Sequence, residues 1–154
     1  MIDAMIPASG ASMRLWQAAE PLVLASRSES RRALLAGAAI PVEVLPADID
    51  ERAIEARAGT KPPDEIAILL ARDEAVLLEH CEIARLTMRN FSDRFLDSYM
   101  EAAGPAVTAS VGGYQVERAG IQLFERIEGD HFTILGLPLL RLLQYLRSQG
   151  WLAD

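Results

Sequence analysis

The chain has 154 residues, 51% of them hydrophobic and 24% charged, which suits one globular domain with a real core. No run approaches the roughly 18 apolar residues that a membrane span needs. A formal net charge of -7 repels polyanions and argues against an extended nucleic-acid surface, while a few local arginines still suffice for a small anion.

Residues 1–20 hold Asp3 and no basic cluster before an apolar run, so they do not read as a secretory signal. They are expected to be a flexible leader, with the folded domain at 21–154. Leu22 to Ala25 follows Pro21 as a short apolar run bounded by serines, the pattern of a buried strand. Arg31 to Ala36 has helical composition, Gly37 is a plausible stop, and Val42-Glu43-Val44-Leu45 reads as a second strand. Asp48-Ile49-Asp50-Glu51 is an acidic loop. Pro62-Pro63-Asp64-Glu65 opens an expected second helix whose apolar face is Ile66, Leu69, Leu70, Val76 and Leu77.

Glu82 to Arg89 alternates as a strand does. Ser92 suits the N-cap of a third helix with Phe95, Leu96, Tyr99 and Met100 as its buried stripe, ended by Gly104-Pro105. Val111 to Glu117 is a glycine-hinged bend, Ile121 to Ile127 a further strand, and Gly129-Asp130 a turn. Pro138 sits in the first turn of a leucine-rich last helix that Gly150 ends. Alternating strands and helices make the class α/β.

Several constellations could carry chemistry. The helix start after Ser26, Ser28 and Ser30 offers free backbone N–H groups and partial positive charge, a natural anion site. Arg31 and Arg32 add fork-shaped donors. Consecutive helical residues point about 100° apart, so only one arginine should aim squarely at a ligand. The alternative is that the serines merely cap the helix and both arginines are solvated. Asp48, Asp50 and Glu51 suit magnesium or form a solvated acidic turn. In Gly112-Gly113-Tyr114-Gln115-Val116-Glu117, Tyr114 could stack on a base and Gln115 or Glu117 could bond its edge; otherwise this is a bend with a core tyrosine. Asp130 and His131 could pair, although a surface role is simpler. The one cysteine, Cys81, excludes an intramolecular disulfide, fits a reducing cytoplasm and by default is a buried thiol. His80 and His131 lack metal-ligand spacing. Neither a P-loop nor a Gly-x-Ser-x-Gly elbow is present.

Taken in order, these residues resemble the Maf family (septum formation inhibitor Maf-like proteins). The family signature Leu-Ala-Ser-x-Ser-Pro-x-Arg-Arg-x-Leu-Leu stands here as Leu24 to Leu35, with Glu29 in place of the proline. Asp48-Ile49-Asp50-Glu51, Leu123 to Gly129 and Gly136-Leu137-Pro138-Leu139 match further family patterns. The resemblance implies a mixed β-sheet flanked by helices, like inosine triphosphate pyrophosphatase, with a cleft between two lobes. It also implies a house-cleaning nucleoside triphosphate pyrophosphatase of the cytoplasm, releasing pyrophosphate and a monophosphate with a divalent metal (Mg or Mn). By resemblance, Ser26, Arg31 and Arg32 bind the phosphates, Glu51 meets metal and substrate, and Ser30 and Glu117 set base preference; Ser28 as a substrate donor and Gln115 as a specificity residue are added from the residues themselves. Glutamate at Glu117 looks like the branch acting on 7-methyl-GTP. Homodimers are common in the family.

One departure is large. The family's central Asp-Thr or Asp-Gln motif, whose aspartate is the expected general base, and its Gly-Lys-Pro are absent from this sequence. The chain passes from Leu69-Leu70-Ala71-Arg72 to Glu79-His80-Cys81, shortened near 72–79 by several tens of residues. A family lysine upstream also has no match near Asp73 and Glu74. A nucleotide-binding or self-associating remnant without catalysis is therefore the alternative to the enzyme.

Overall fold

The computed structural model describes residues 14–45, 65–72, 75–109 and 112–154. Strand β1 (Leu22–Leu24) leads through the serine loop to helix α1 (Glu29–Gly37) and back to β2 (Val42–Val44), which pairs with β1 in parallel. This is the expected strand, loop, helix, strand unit, with α1 starting two residues earlier than composition suggests. The Ser28 hydroxyl accepts from the Arg31 backbone N–H at 3.4 Å, and Glu29 lies in the positive first turn. Gly37 is the last helical residue, not the left-handed one. The chain turns at Ala39 (φ 56°), where Ala39 N–H donates to Ala36 and Ile40 N–H to Leu35. That pair of bonds is a Schellman cap, and it buries Leu35 and Ile40 in the core.

The expected second helix is instead strand β3 (Glu65–Arg72), paired antiparallel with β4 (Ala75–Ile83) across a connection of two residues. Its apolar spacing fits both periods. The alternating partner that follows decides for the strand by satisfying its backbone groups residue by residue. Ile68 and Leu78 are buried, and His80 and Glu82 continue the same face, 3.5 Å apart. Cys81 points the other way and is exposed, contrary to the default for a thiol. The strand expected over 82–89 is broken at Ala84 into the end of β4 and β5 (Arg85–Met88).

Helix α2 (Asp93–Ala103) starts as expected, with Ser92 accepting from Phe95 N–H at 3.3 Å, and Gly104 (φ 52°) ends it. Of its predicted stripe only Tyr99 is buried and Phe95 half-buried. Leu96 and Met100 are 39% and 48% exposed. A short α3 (Ala106–Ala109) follows. The strand expected from Ile121 begins late. Residues Ala119–Leu123 form a 3-10 turn, and only Phe124–Glu128 is strand β6, antiparallel to β5. Gly120 explains the turn: a Cβ there would lie 2.5 Å from the Gln115 carbonyl oxygen, an approach open only to glycine.

The short helix α4 (His131–Ile134) and α5 (Leu139–Ser148) complete the chain. Both end as α1 does, with Gly136 (φ 97°) and Gly150 (φ 68°) at the left-handed position. Residues of the expected leader join this end. Gln17 N–H donates to Trp151 and Ala153 N–H to Leu15, and Trp16 packs on the core. The main core joins Leu35, Ile40, Ile68, Leu78, Leu137, Leu139, Leu142, Leu146 and Leu152. Tyr99, Val116 and Leu123 are also buried, outside that cluster. The described residues mix helices with small sheets, which agrees with the α/β class, although strands β2 to β5 follow one another without a described helix between them. The described strands, however, form three two-stranded sheets where one mixed sheet was expected. No helix among the described residues is long and apolar enough to cross a membrane.

Candidate functional site

The loop from β1 into α1 gathers polar groups by its own hydrogen bonds. The Ser26 hydroxyl accepts from Ser28 N–H at 3.2 Å and from an Arg31 terminal nitrogen at 3.1 Å. Arg31 Nε donates to the Gly136 carbonyl at 2.9 Å. The guanidinium is therefore held from two sides, by the loop below it and by the α4–α5 turn beside it. Ser26, Ser28 and Arg31 are all half-buried. This is a compact set of hydroxyl, backbone N–H and guanidinium donors at the positive end of a helix, chemistry suited to phosphate oxygens.

Arg32 takes the other direction. Its guanidinium pairs with Glu29 one turn back, and the two side chains are 57% and 77% exposed. The two arginines diverge, as the helical angle requires. Ser30 is exposed on α1.

Glu51, with Asp48 and Asp50, lies outside the described residues. Among the described residues no group of three or more His, Cys, Asp or Glu side chains is gathered as a metal site.

The 112–117 bend is anchored to its own neighbours. Tyr114 meets Phe124 edge to face at 4.8 Å, and Tyr99 Oη donates to the Gly113 carbonyl at 3.1 Å. The bend with an internally packed tyrosine is thus the reading the geometry favours over base stacking. Gln115 is half-buried and Glu117 exposed. Asp130 does not pair with His131: its carboxylate accepts from Thr133 N–H at 3.2 Å and from the Thr133 hydroxyl at 3.4 Å, capping α4. Sequence reasoning missed Gly136 as a partner of the clamp, because its contribution is a backbone oxygen. A cavity of about 400 Å³ lies elsewhere, between Trp16, Trp151, the start of β1 and the Leu70–Leu77 end of the hairpin.

The family model described as Maf-like protein matches residues 21–80 and 66–149. A protein of Nitrobacter winogradskyi named nucleoside triphosphate pyrophosphatase is 40% identical over 200 aligned positions, covering 91% of this chain and 98% of that protein. One of the same name from Nitrobacter hamburgensis is 38% identical over 201 positions, covering 92% and 100%. Another from Paramagnetospirillum magneticum is 56% identical over 84 residues, 54% of this chain and 43% of that one. In the first alignment, 91% of 154 residues is about 140, which leaves about 60 of the 200 positions opposite no residue of this chain.

Proposed function

The chain belongs to the Maf-like protein family, and we propose that it is a nucleoside triphosphate pyrophosphatase, hydrolysing its substrate to a nucleoside monophosphate and pyrophosphate. One observation carries the reading: Ser26, Ser28 and Arg31 converge at the start of α1, held by one another and by Gly136. Water attacks a phosphorus of the triphosphate, the anhydride P–O bond breaks, and pyrophosphate leaves. Arg31 and the helix N-terminus bind and orient the phosphates and face the charge that grows on their oxygens. Arg32 adds charge from the exposed side. A divalent ion, Mg or Mn, supplies charge neutralisation when bound. Its expected ligand Glu51 lies outside the described residues.

Base choice is assigned to Ser30, Gln115 and Glu117. An exposed carboxylate at Glu117 can accept from both the N–H and NH₂ of a guanine-like edge, which favours a modified purine such as 7-methyl-GTP. A cleft between two lobes, a homodimer and a cytoplasmic location complete the proposal.

A second reading, nucleotide binding without hydrolysis, is favoured by the roughly 60 unmatched positions of the relatives. The two family matches overlap over 66–80, where the β3–β4 hairpin stands and where the sequence lacks the expected general base. Pyrophosphate release from a panel of purine, pyrimidine and 7-methylated triphosphates, with Mg or Mn, separates the two when run beside calorimetric binding. Release is expected. Binding without release replaces the enzyme by the binder, and a clear preference for pyrimidines removes the guanine assignment.

A further inference from the structure

We infer that Gly136 is a positioning residue for phosphate binding: its carbonyl sets the direction of the Arg31 guanidinium. The inference rests on the reading of Ser26, Ser28 and Arg31 as a phosphate clamp. Arg31 stands in the first turn of α1, and its long side chain has many rotamers. Two acceptors restrict it, Ser26 Oγ at 3.1 Å and the Gly136 oxygen at 2.9 Å. The first belongs to the loop that binds the ligand and can exchange its donor when a phosphate arrives. The second lies outside that loop, so it can hold Nε while the terminal nitrogens turn to the anion. Such a support leaves less rotamer freedom to be lost on binding.

The carbonyl is itself held. Asp130 caps the start of α4 through Thr133, which is 1% exposed. At the other end, Gly136 N–H donates to Thr133 and Leu137 N–H to Phe132, both at 3.0 Å. Gly136 has φ 97°, a conformation that side chains strain. A Cβ there would be 3.8 Å from Arg31 Nε, in ordinary contact. Alanine would thus act by shifting the backbone carbonyl, with no clash against the arginine.

Gly150 supplies the control. It ends α5 with the same pair of backbone bonds and φ 68°, and a Cβ there meets nothing within 4 Å. Gly136→Ala and Gly150→Ala should lower the melting temperature comparably. With inorganic tripolyphosphate as the probe in calorimetry, Gly136→Ala should raise Kd by about tenfold or more, the scale of one weakened hydrogen bond to a charged group. Gly150→Ala should leave Kd unchanged. In an Arg31→Ala background, Gly136→Ala should add no further loss, because the effect travels through that guanidinium.

Equal losses from the two glycine variants, or an additive loss in the Arg31→Ala background, overturn the inference. If Arg31→Ala weakens binding and Gly136→Ala does not, the clamp stands and the role of Gly136 falls. If Arg31→Ala binds like the parent, the clamp reading falls and the inference with it. Should Gly136→Ala fail to fold, the parent protein still decides. The Arg31 Nε–H resonance should exchange with water much more slowly than that of Arg32, and equal exchange overturns the hydrogen bond on which everything rests.

Discussion

Replacing Arg31 and Arg32 separately by alanine should give unequal losses of stability, even with no nucleotide present. Arg31 loses two bonds from a charged donor, to Gly136 and Ser26, in a half-buried setting. Hydrogen bonds to charged groups contribute about 1.5–3 kcal/mol when buried. Solvent access and the water that can replace the lost guanidinium reduce the pair to roughly 2 kcal/mol together. For a chain of this length about 1 kcal/mol moves the melting temperature by roughly 2–4 °C, so Arg31→Ala should melt about 4–8 °C lower. Arg32 loses one exposed pair with Glu29, worth about 0.3–0.5 kcal/mol in a helix, and alanine returns part of that as helix propensity. Its melting temperature should shift by less than about 2 °C. Circular dichroism melts, checked for two-state behaviour by a second probe, measure both. Equal destabilisation by the two substitutions would refute the divergent geometry. With tripolyphosphate, residual affinity lost in Arg32→Ala should fade as salt is added, because an exposed charge acts through screened space.

Ala39→Gly should stabilise the protein by roughly 0.5–1 kcal/mol in urea unfolding, since a left-handed alanine costs about 1–2 kcal/mol and glycine's extra chain entropy returns part of it. A lower midpoint would mean that Ala39 does not hold φ 56°. Ser92→Ala should cost about 1 kcal/mol by removing the α2 cap, and Ser92→Asp should recover most of it in the same assay. Leu146→Ala, at a side chain with 0% exposure, should cost about 2–5 kcal/mol, read as a large drop in the unfolding midpoint.

The parts legible in the sequence are those decided locally. The 22–44 unit carries its own N-cap in Ser28, and the last helix its apolar face and its stop at Gly150, so reading along the chain finds them. Where the reading failed, the deciding contact is distant or ambiguous. Ile66, Leu69 and Leu70 fit a helix face until the partner strand at 75–83 is known. Ile121 is strand-like in composition, but Gly120 is pressed against the Gln115 backbone and the segment turns. Gly37 looked like the stop, yet the left-handed residue is Ala39. The cap geometry depends on where Leu35 and Ile40 meet the core, which composition does not record. In the site, Ser26, Ser28 and Arg31 were readable because they lie within six consecutive residues of the chain. Gly136 was not, because 105 positions separate it from Arg31 and its functional atom is common to every residue.

The hairpin raises a different question, since it spans the stretch where the two family matches overlap. Its inward residues Ile68 and Leu78 belong to the same cluster as Leu35 of α1 and Leu146 of α5. A two-stranded hairpin alone is marginal in water, so packing on that cluster must hold it. Leu78 sits across from Leu70 and is 7% exposed. Truncation to alanine there should cost about 2–5 kcal/mol, roughly 4 °C or more in melting temperature. Tripolyphosphate affinity well below the melting range should hold, because the clamp rests on the β1–α1 loop and the Gly136 turn instead. Val76→Ala, at a hairpin side chain 57% exposed, gives the matched control and should shift melting little. Equal, small effects from both would mean that the hairpin does not close the core. A joint loss of stability and anion binding in Leu78→Ala would mean that the hairpin also supports the clamp. Loss of melting stability with binding retained would separate the two: a fold closed by this hairpin, and an anion site that does not depend on it.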